Sequence, residues 1–247
     1  MNPPEPTPLH CRPRAFEALA AELGALDTTR GLLRCSVAVS MHQLDDADMD
    51  DVEAQIDALA GGIAERVQGH QPRALLAHAH AVLFDEARFA GNTQDYYSPF
   101  NSYLPRVLKT RLGLPITLVL LYKCVLESVG LRVWGINMPG HFLAAVRDGS
   151  PTPGTGADAP AQHAGGPLML IDPFDGGKML TRDDAFARLE QIAGGAVARD
   201  DALLRPATHT QWLTRILQNL AGVFDQLERP DDTAAMREMI ALVESVS

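Results

Sequence analysis

An α+β fold is predicted by three features of the chain. Residues 14–91 carry apolar side chains at spacings of three and four, segment after segment. A helix that is apolar on almost every side begins at Pro115. After it, strand-like runs follow one another with no helix between them, which suits an antiparallel sheet and not a parallel βαβ arrangement. The expected architecture is an N-terminal helical bundle, a buried central helix against a small antiparallel sheet, and a C-terminal helical pair.

The first residues, MNPPEPTPLHCRPR, lack the charged-then-apolar pattern of a signal peptide, so 1–13 is expected to be a flexible leader. Helices are then expected over 14–26, 28–42, 48–68 and 70–89, punctuated by Gly24, Gly31, Gly69 and Pro72. In the third of these, Ile56, Leu59, Ile63 and Val67 form an apolar stripe. Acids crowd its first turns, where the helix dipole favours them, and form a solvated face.

A loop of turn formers and aromatics, NTQDYYSPFNSYLPRVLKTRLGLP, follows, with a short helix near 102–111. Its tyrosines and Phe100 supply enough apolar surface to pack it down. Pro115 suits the first position of the central helix, where a missing N–H costs nothing, and Gly130 supplies the stop. LRVWGINM, HFLAAVR and PLMLIDPF are expected as strands, with GGKML leading to a short fourth. Between the second and third, 148–166 is rich in Gly, Ala and Pro and is expected to be a mobile hairpin loop. Thr181 caps the next helix, with Asp184 in the box position. Residues 194–206 are irregular, and two helices near 208–228 and 231–245 close the chain. The expected division is a main domain over 14–193, helical over 14–91 with its core over 92–193, and a helical extension over 194–247.

Of the 247 residues, 46% are hydrophobic and 21% charged, an ordinary globular balance. No apolar run approaches the roughly 18 residues needed to span a bilayer, so no membrane role and a cytoplasmic location are expected. The net charge of -10 would repel phosphate backbones, which argues against nucleic acid as a partner. Cys11, Cys35 and Cys124 are too few and too scattered for a disulfide framework or a zinc cluster. His78 and His80 stand two apart in a helical stretch, on different faces. Neither a metal nor a cofactor is called for.

The chemistry gathers between Gly113 and Gly177. His141 follows Pro139-Gly140 and opens a strand; Asp172 ends another. On neighbouring strands, the carboxylate can fix the tautomer of the ring and leave its second nitrogen as a base. Such a pair serves either as two members of a catalytic triad or as a bond tying two strands together. A catalytic version needs a nucleophile at the start of the facing helix, where the dipole lowers a thiol pKa. That start reads Gly113, Leu114, Pro115, Ile116, Thr117. Thr117 has the sole hydroxyl, a weak and crowded nucleophile, and Cys124 lies on the order of 10 Å further along the helix at 1.5 Å per residue.

The motifs GLPIT, PGHF and IDPFDGG, within the run from NTQDYYSPFNSYLP to LMLIDPFDGG, resemble the SirB-one family of bacterial transglutaminase-like proteins over roughly residues 30–190. The C-terminal run THTQWLTRILQNLAGVFDQLERPDDTAAM is similar to the start of a tetratricopeptide-like tail, of which the chain carries about one helical pair. The resemblance implies a papain-like core in which a helix bearing a cysteine faces a sheet bearing histidine and aspartate. His141 and Asp172-Pro173 match the family positions, and Pro115 falls on the cysteine of the Gly-x-Cys motif. Thiol chemistry is then unavailable, because Pro115 has neither a nucleophilic side chain nor an amide hydrogen.

Related domains also occur in adaptors of ubiquitin ligases. The expectation is a non-catalytic regulatory or protein-interaction module that takes a protein or peptide partner in the cleft between helix start and sheet. His141 and Asp172 would be its polar anchors, Pro115 would lie in the cleft, and Tyr97, Asn101 and Tyr103 would be candidate rim residues that could equally pack to close the fold. The alternative is a hydrolase or acyl-transfer enzyme in which His141 acts as base, Asp172 orients it, and Thr117 or Asn101 assists.

Overall fold

The computed structural model describes residues 8–67, 72–147 and 168–246. The expected hairpin loop over 148–166 lies outside the described residues. Nine α-helices and six strands are found among them. The helices α1 (Pro13–Glu22), α2 (Thr29–Ser40), α3 (Met49–Ala64) and α4 (Pro72–His80) come first, and a π-type turn over Ala81–Glu86 extends α4. Side-chain caps start two of them: Thr28 accepts from the Gly31 amide, and Asp48 from that of Asp51.

The aromatic loop contains a 3₁₀ turn over Pro99–Ser102 and then α5 (Leu104–Thr110). It is pinned by two short parallel strands, β1 (Ala90–Gly91) and β2 (Leu112–Gly113). Here the Ala90 amide donates to the Arg111 carbonyl at 2.9 Å, and that of Asn92 to the Gly113 carbonyl at 3.1 Å. Two-residue strands have no periodicity, so this pair was not legible in the sequence.

The central helix α6 (Pro115–Ser128) is buried from Pro115 through Leu126. At about 1.5–3 kcal/mol for each large apolar side chain taken from water, it is the largest apolar investment of any one element. The sheet runs β3 (Val133–Met138), β4 (His141–Arg147), β5 (Leu168–Asp172), β6 (Lys178–Leu180), antiparallel throughout.

Alternation along β4 explains why the whole strand is buried. Phe142, Ala144 and Val146 join the core around α6, whereas Leu143 and Ala145 meet Ala185, Phe186 and Leu189 of α7 (Arg182–Ala193) on the other face. Thr181 and Asp184 form the expected capping box at the start of α7.

The chain ends in α8 (His209–Gln226) and α9 (Pro230–Ser245), packed on each other and joined to the main core. Trp212 of α8 is fully buried. It lies 4.7 Å from the Phe142 ring, and its indole N–H donates to the Ile116 carbonyl at 3.4 Å. That contact holds α8 against the first turn of α6 and makes it a wall of the cleft described next.

Candidate functional site

Strands β3 and β4 are joined by Pro139-Gly140 alone, with Met138 opposite His141. Gly140 has φ +72, the conformation wanted at the third position of a type II turn with proline before it. This tight turn fixes where His141 leaves the sheet. His141 and Asp172 fall on the sheet face that carries α7, and the His141 Nε2 lies 2.8 Å from the Asp172 Oδ2.

Asp172 is fully buried and held by several groups. Its Oδ1 accepts from the Phe174 amide at 3.1 Å, and its Oδ2 lies 3.5 Å from the Arg188 Nη2. Arg188, on α7, also donates to Asp175 at 3.1 Å. A carboxylate can only accept, so Nε2 of His141 carries the proton and donates it. Nδ1 is left as the basic nitrogen, with no hydrogen bond among the described residues.

The ring stands at the edge of a cleft of about 710 Å³. Its floor includes Leu114, Pro115 and Ile116 at the α6 start, with His141 and Phe174 beside them. Phe174 meets the His141 ring edge-on at 6.1 Å, and Tyr96 meets Phe174 in the same way at 6.1 Å. The walls come from the aromatic loop, from α7 and from α8. Among the described residues no cysteine, serine or threonine lines the cleft.

The expected site residues divide cleanly. His141, Pro115 and the 61%-exposed Tyr97 line the cleft, and Asp172 backs it. Tyr103, expected as a candidate at the rim, is fully buried, and its hydroxyl has no partner among the described residues. Desolvation drives its pKa far upward.

Asn101 is also buried. It accepts from Asn92 at 2.9 Å and donates to the Asp95 and Tyr96 carbonyls at 2.6 and 3.1 Å, so it staples the loop instead of facing a ligand. Thr117 is buried with its hydroxyl unpartnered, outside the cleft lining, and cannot reach a substrate there. Asn101 and Tyr103 are turned inward as the loop packs down, and Thr117 is covered as part of the buried helix α6.

The sequence did not single out the polar wall. Arg188 and Gln191 of α7, and Arg215, Gln218 and Asn219 of α8, all line the cleft. In the sequence they are ordinary polar positions on amphipathic helices, and they reach His141 only because α7 packs on one sheet face and Trp212 docks α8 on α6. Phe174 was visible inside IDPFDGG, though no role attached to it.

The three cysteines are buried thiols, each pushed up to about 12 with burial the main cause. No cluster of three metal-ligating side chains occurs among the described residues, and none of their helices is long and apolar enough to cross a membrane.

Residues 50–218 match the family model described as the transglutaminase-like superfamily. The chain is similar to a UPF0162 protein of Xylella fastidiosa (strain 9a5c), with 30% identity over 220 residues covering 87% of this chain and 72% of that one. It is also similar to F-box only protein 21 of Homo sapiens, at 29% over 161 residues, or 57% of this chain and 24% of the other. UPF0162 protein PA3419 of Pseudomonas aeruginosa is 25% identical over 209 residues, 85% of this chain and 65% of that protein. No solved structure matches the chain significantly.

Proposed function

The chain belongs to the transglutaminase-like superfamily, and from that premise we propose that it is a non-catalytic binding module of the SirB-one type. The cleft takes a peptide segment of a protein partner, with the open Nδ1 of His141 as a polar anchor and Asp172 holding the ring. The observation that carries this reading is Pro115 in the cleft floor beside His141. At the helix start, where a thiol would be activated, proline offers no nucleophile, and its nitrogen has no hydrogen to stabilise an oxyanion. What is left is a preformed concave site with few polar groups, of a size within the roughly 300–1,000 Å³ of small-ligand sites.

A second reading has one observation in its favour. The Nδ1 of His141 has no hydrogen-bond partner among the described residues and stands where it could take a proton from water attacking a bound ester or amide. Thr117 could not serve as its nucleophile, being buried outside the cleft.

Two screens on wild type and His141→Ala separate the readings. The binding module predicts saturable capture of peptides from a displayed random library, lost in Tyr97→Ala and His141→Ala, with no His141-dependent turnover of ester, amide or acyl-acceptor substrates. Turnover abolished by His141→Ala in a folded protein would replace this reading with the hydrolytic one.

A further inference from the structure

An acidic chain has kept its carboxylates out of one place. With 31 Asp and Glu against 21 Lys and Arg, acids are the commoner charged residues. Yet among the described residues none lines the His141 cleft, while Arg188 and Arg215 do. Arg188 is already neutralised by Asp172 and Asp175.

Arg215 is not neutralised. Its Nη1 donates to the Asn137 Oδ1 at 3.1 Å and its Nε to the Asn219 Oδ1 at 3.2 Å. Two neutral amide oxygens therefore aim the guanidinium, and no carboxylate pairs with it among the described residues. It is half-buried, where solvent screens a charge less than at an open surface.

We propose that the cleft recognises an acidic side chain of a peptide segment, with Arg215 as the specificity-determining residue. The inference rests on the binding-module reading and names the partner class for that same site. Guanidinium geometry suits a carboxylate, which it can grip through two parallel N–H bonds. Asn137 and Asn219 are positioning residues: they hold the fork without spending its charge.

The rest of the lining suits the peptide around the acid. Gln191 and Gln218 offer donors and acceptors to backbone amides, and Tyr97, Phe174 and Ile192 give an apolar seat for a neighbouring side chain. The amide of Ile116, second in α6, has no partner within the helix and adds a donor on the floor. Donors for the peptide's carboxylate thus line the cleft, and no carboxylate does so among the described residues.

The test uses the full chain and a displayed random peptide library, followed by fluorescence anisotropy. The strongest binder is resynthesised with both ends capped, in its own sequence and with each Asp or Glu replaced by Asn or Gln. Enrichment of Asp or Glu at one position is expected. The amide version should bind about tenfold or more weakly, the worth of one charge-assisted hydrogen bond. In Arg215→Gln the two versions should bind within about twofold of each other, while Arg215→Lys recovers part of the preference. Arg30→Gln, outside the cleft lining and paired with Glu53, should match wild type.

Peptides that need Tyr97 but show no acid preference, or a preference unchanged in Arg215→Gln, would overturn the acidic assignment and leave the binding module standing. Enrichment of free C-terminal carboxylates that the capped peptide cannot replace would overturn it too, since the proposal commits to a side chain. Failure to select any Tyr97-dependent peptide would overturn both readings.

Discussion

His42 and Asp232 are joined at 2.8 Å from Nε2 to Oδ1, the same ring nitrogen and the same distance that join His141 to Asp172. The two pairs differ at the other nitrogen. The Nδ1 of His42 accepts the Arg12 amide at 3.3 Å, so both ring nitrogens are used. Gln43 and Arg229 also donate to Asp232, which ties α9 to the end of α2. A histidine–aspartate bond can therefore be purely structural in this fold. An unused Nδ1 at a cleft is what sets His141 apart.

The buried histidines predict acid sensitivity. His42 and His80 are both lowered from the ordinary imidazole value, chiefly by burial. Below about pH 6.5 the unfolded chain takes up protons at these rings and the folded chain resists, so the unfolded state binds more protons. Stability should be full above that pH and fall as pH drops through it, until the folded-state values are passed. Glu53, Glu86 and Glu238 are lowered too, but their loss begins only below about pH 4.5. Urea midpoints should fall between pH 7.5 and 5.5, and the fall should shrink in His42→Gln. An undiminished fall in that variant would remove His42 from the account.

Asp172 should be the costlier half of its pair to lose. It is fully buried and serves His141, the Phe174 amide and Arg188 together. Breaking such a buried pair costs about 3–5 kcal/mol, because the partner groups stay buried without it. Asp172→Ala should lower unfolding free energy by about 3 kcal/mol in denaturant titrations, and His141→Ala by less. A loss under about 1 kcal/mol for Asp172→Ala would mean that the carboxylate does not organise this corner.

The wall beside His141 depends on a missing side chain. A Cβ at Gly91 would stand 2.5 Å from the Phe174 ring. Gly91→Ala should therefore displace Phe174 and cost about 1–3 kcal/mol, as overpacking does. Gly24→Ala meets nothing within 4 Å and should leave the melting temperature nearly unchanged. Equal melting temperatures for the two variants would contradict the close packing of β1 on Phe174.

Pro115→Cys would place a thiol at the α6 start, in the cleft with His141. The native thiols are pushed up to about 12 and should stay inert in the folded protein. Iodoacetamide at pH 7 should modify the new cysteine first, and more slowly once His141→Ala is added. Reactivity no greater than that of the native thiols would count against the alignment of Pro115 with the nucleophile position.

Much of this was legible in the chain because the signals are local. Capping at Thr181, proline at the first position of α6, and the Pro139-Gly140 turn each fix a boundary through neighbours in sequence. The strand ends at His141 and Asp172 were marked by turn residues, their pairing was open from the residues alone, and the family resemblance implied it. What was not legible depends on packing between distant elements. Arg188 and Arg215 reach the cleft only because α7 covers one sheet face and Trp212 docks α8 on α6. Asn101 and Tyr103 look like binding residues until the loop folds inward and buries them.

In the proposed binding mode, a ligand in the cleft engages the open nitrogen of His141. Ring ¹⁵N shifts of His141, followed while a library-selected peptide is titrated into the full chain, measure this directly. A saturable change at Nδ1 is expected, with Nε2 still bonded to Asp172. Saturation of the peptide with the Nδ1 resonance unmoved would contradict it.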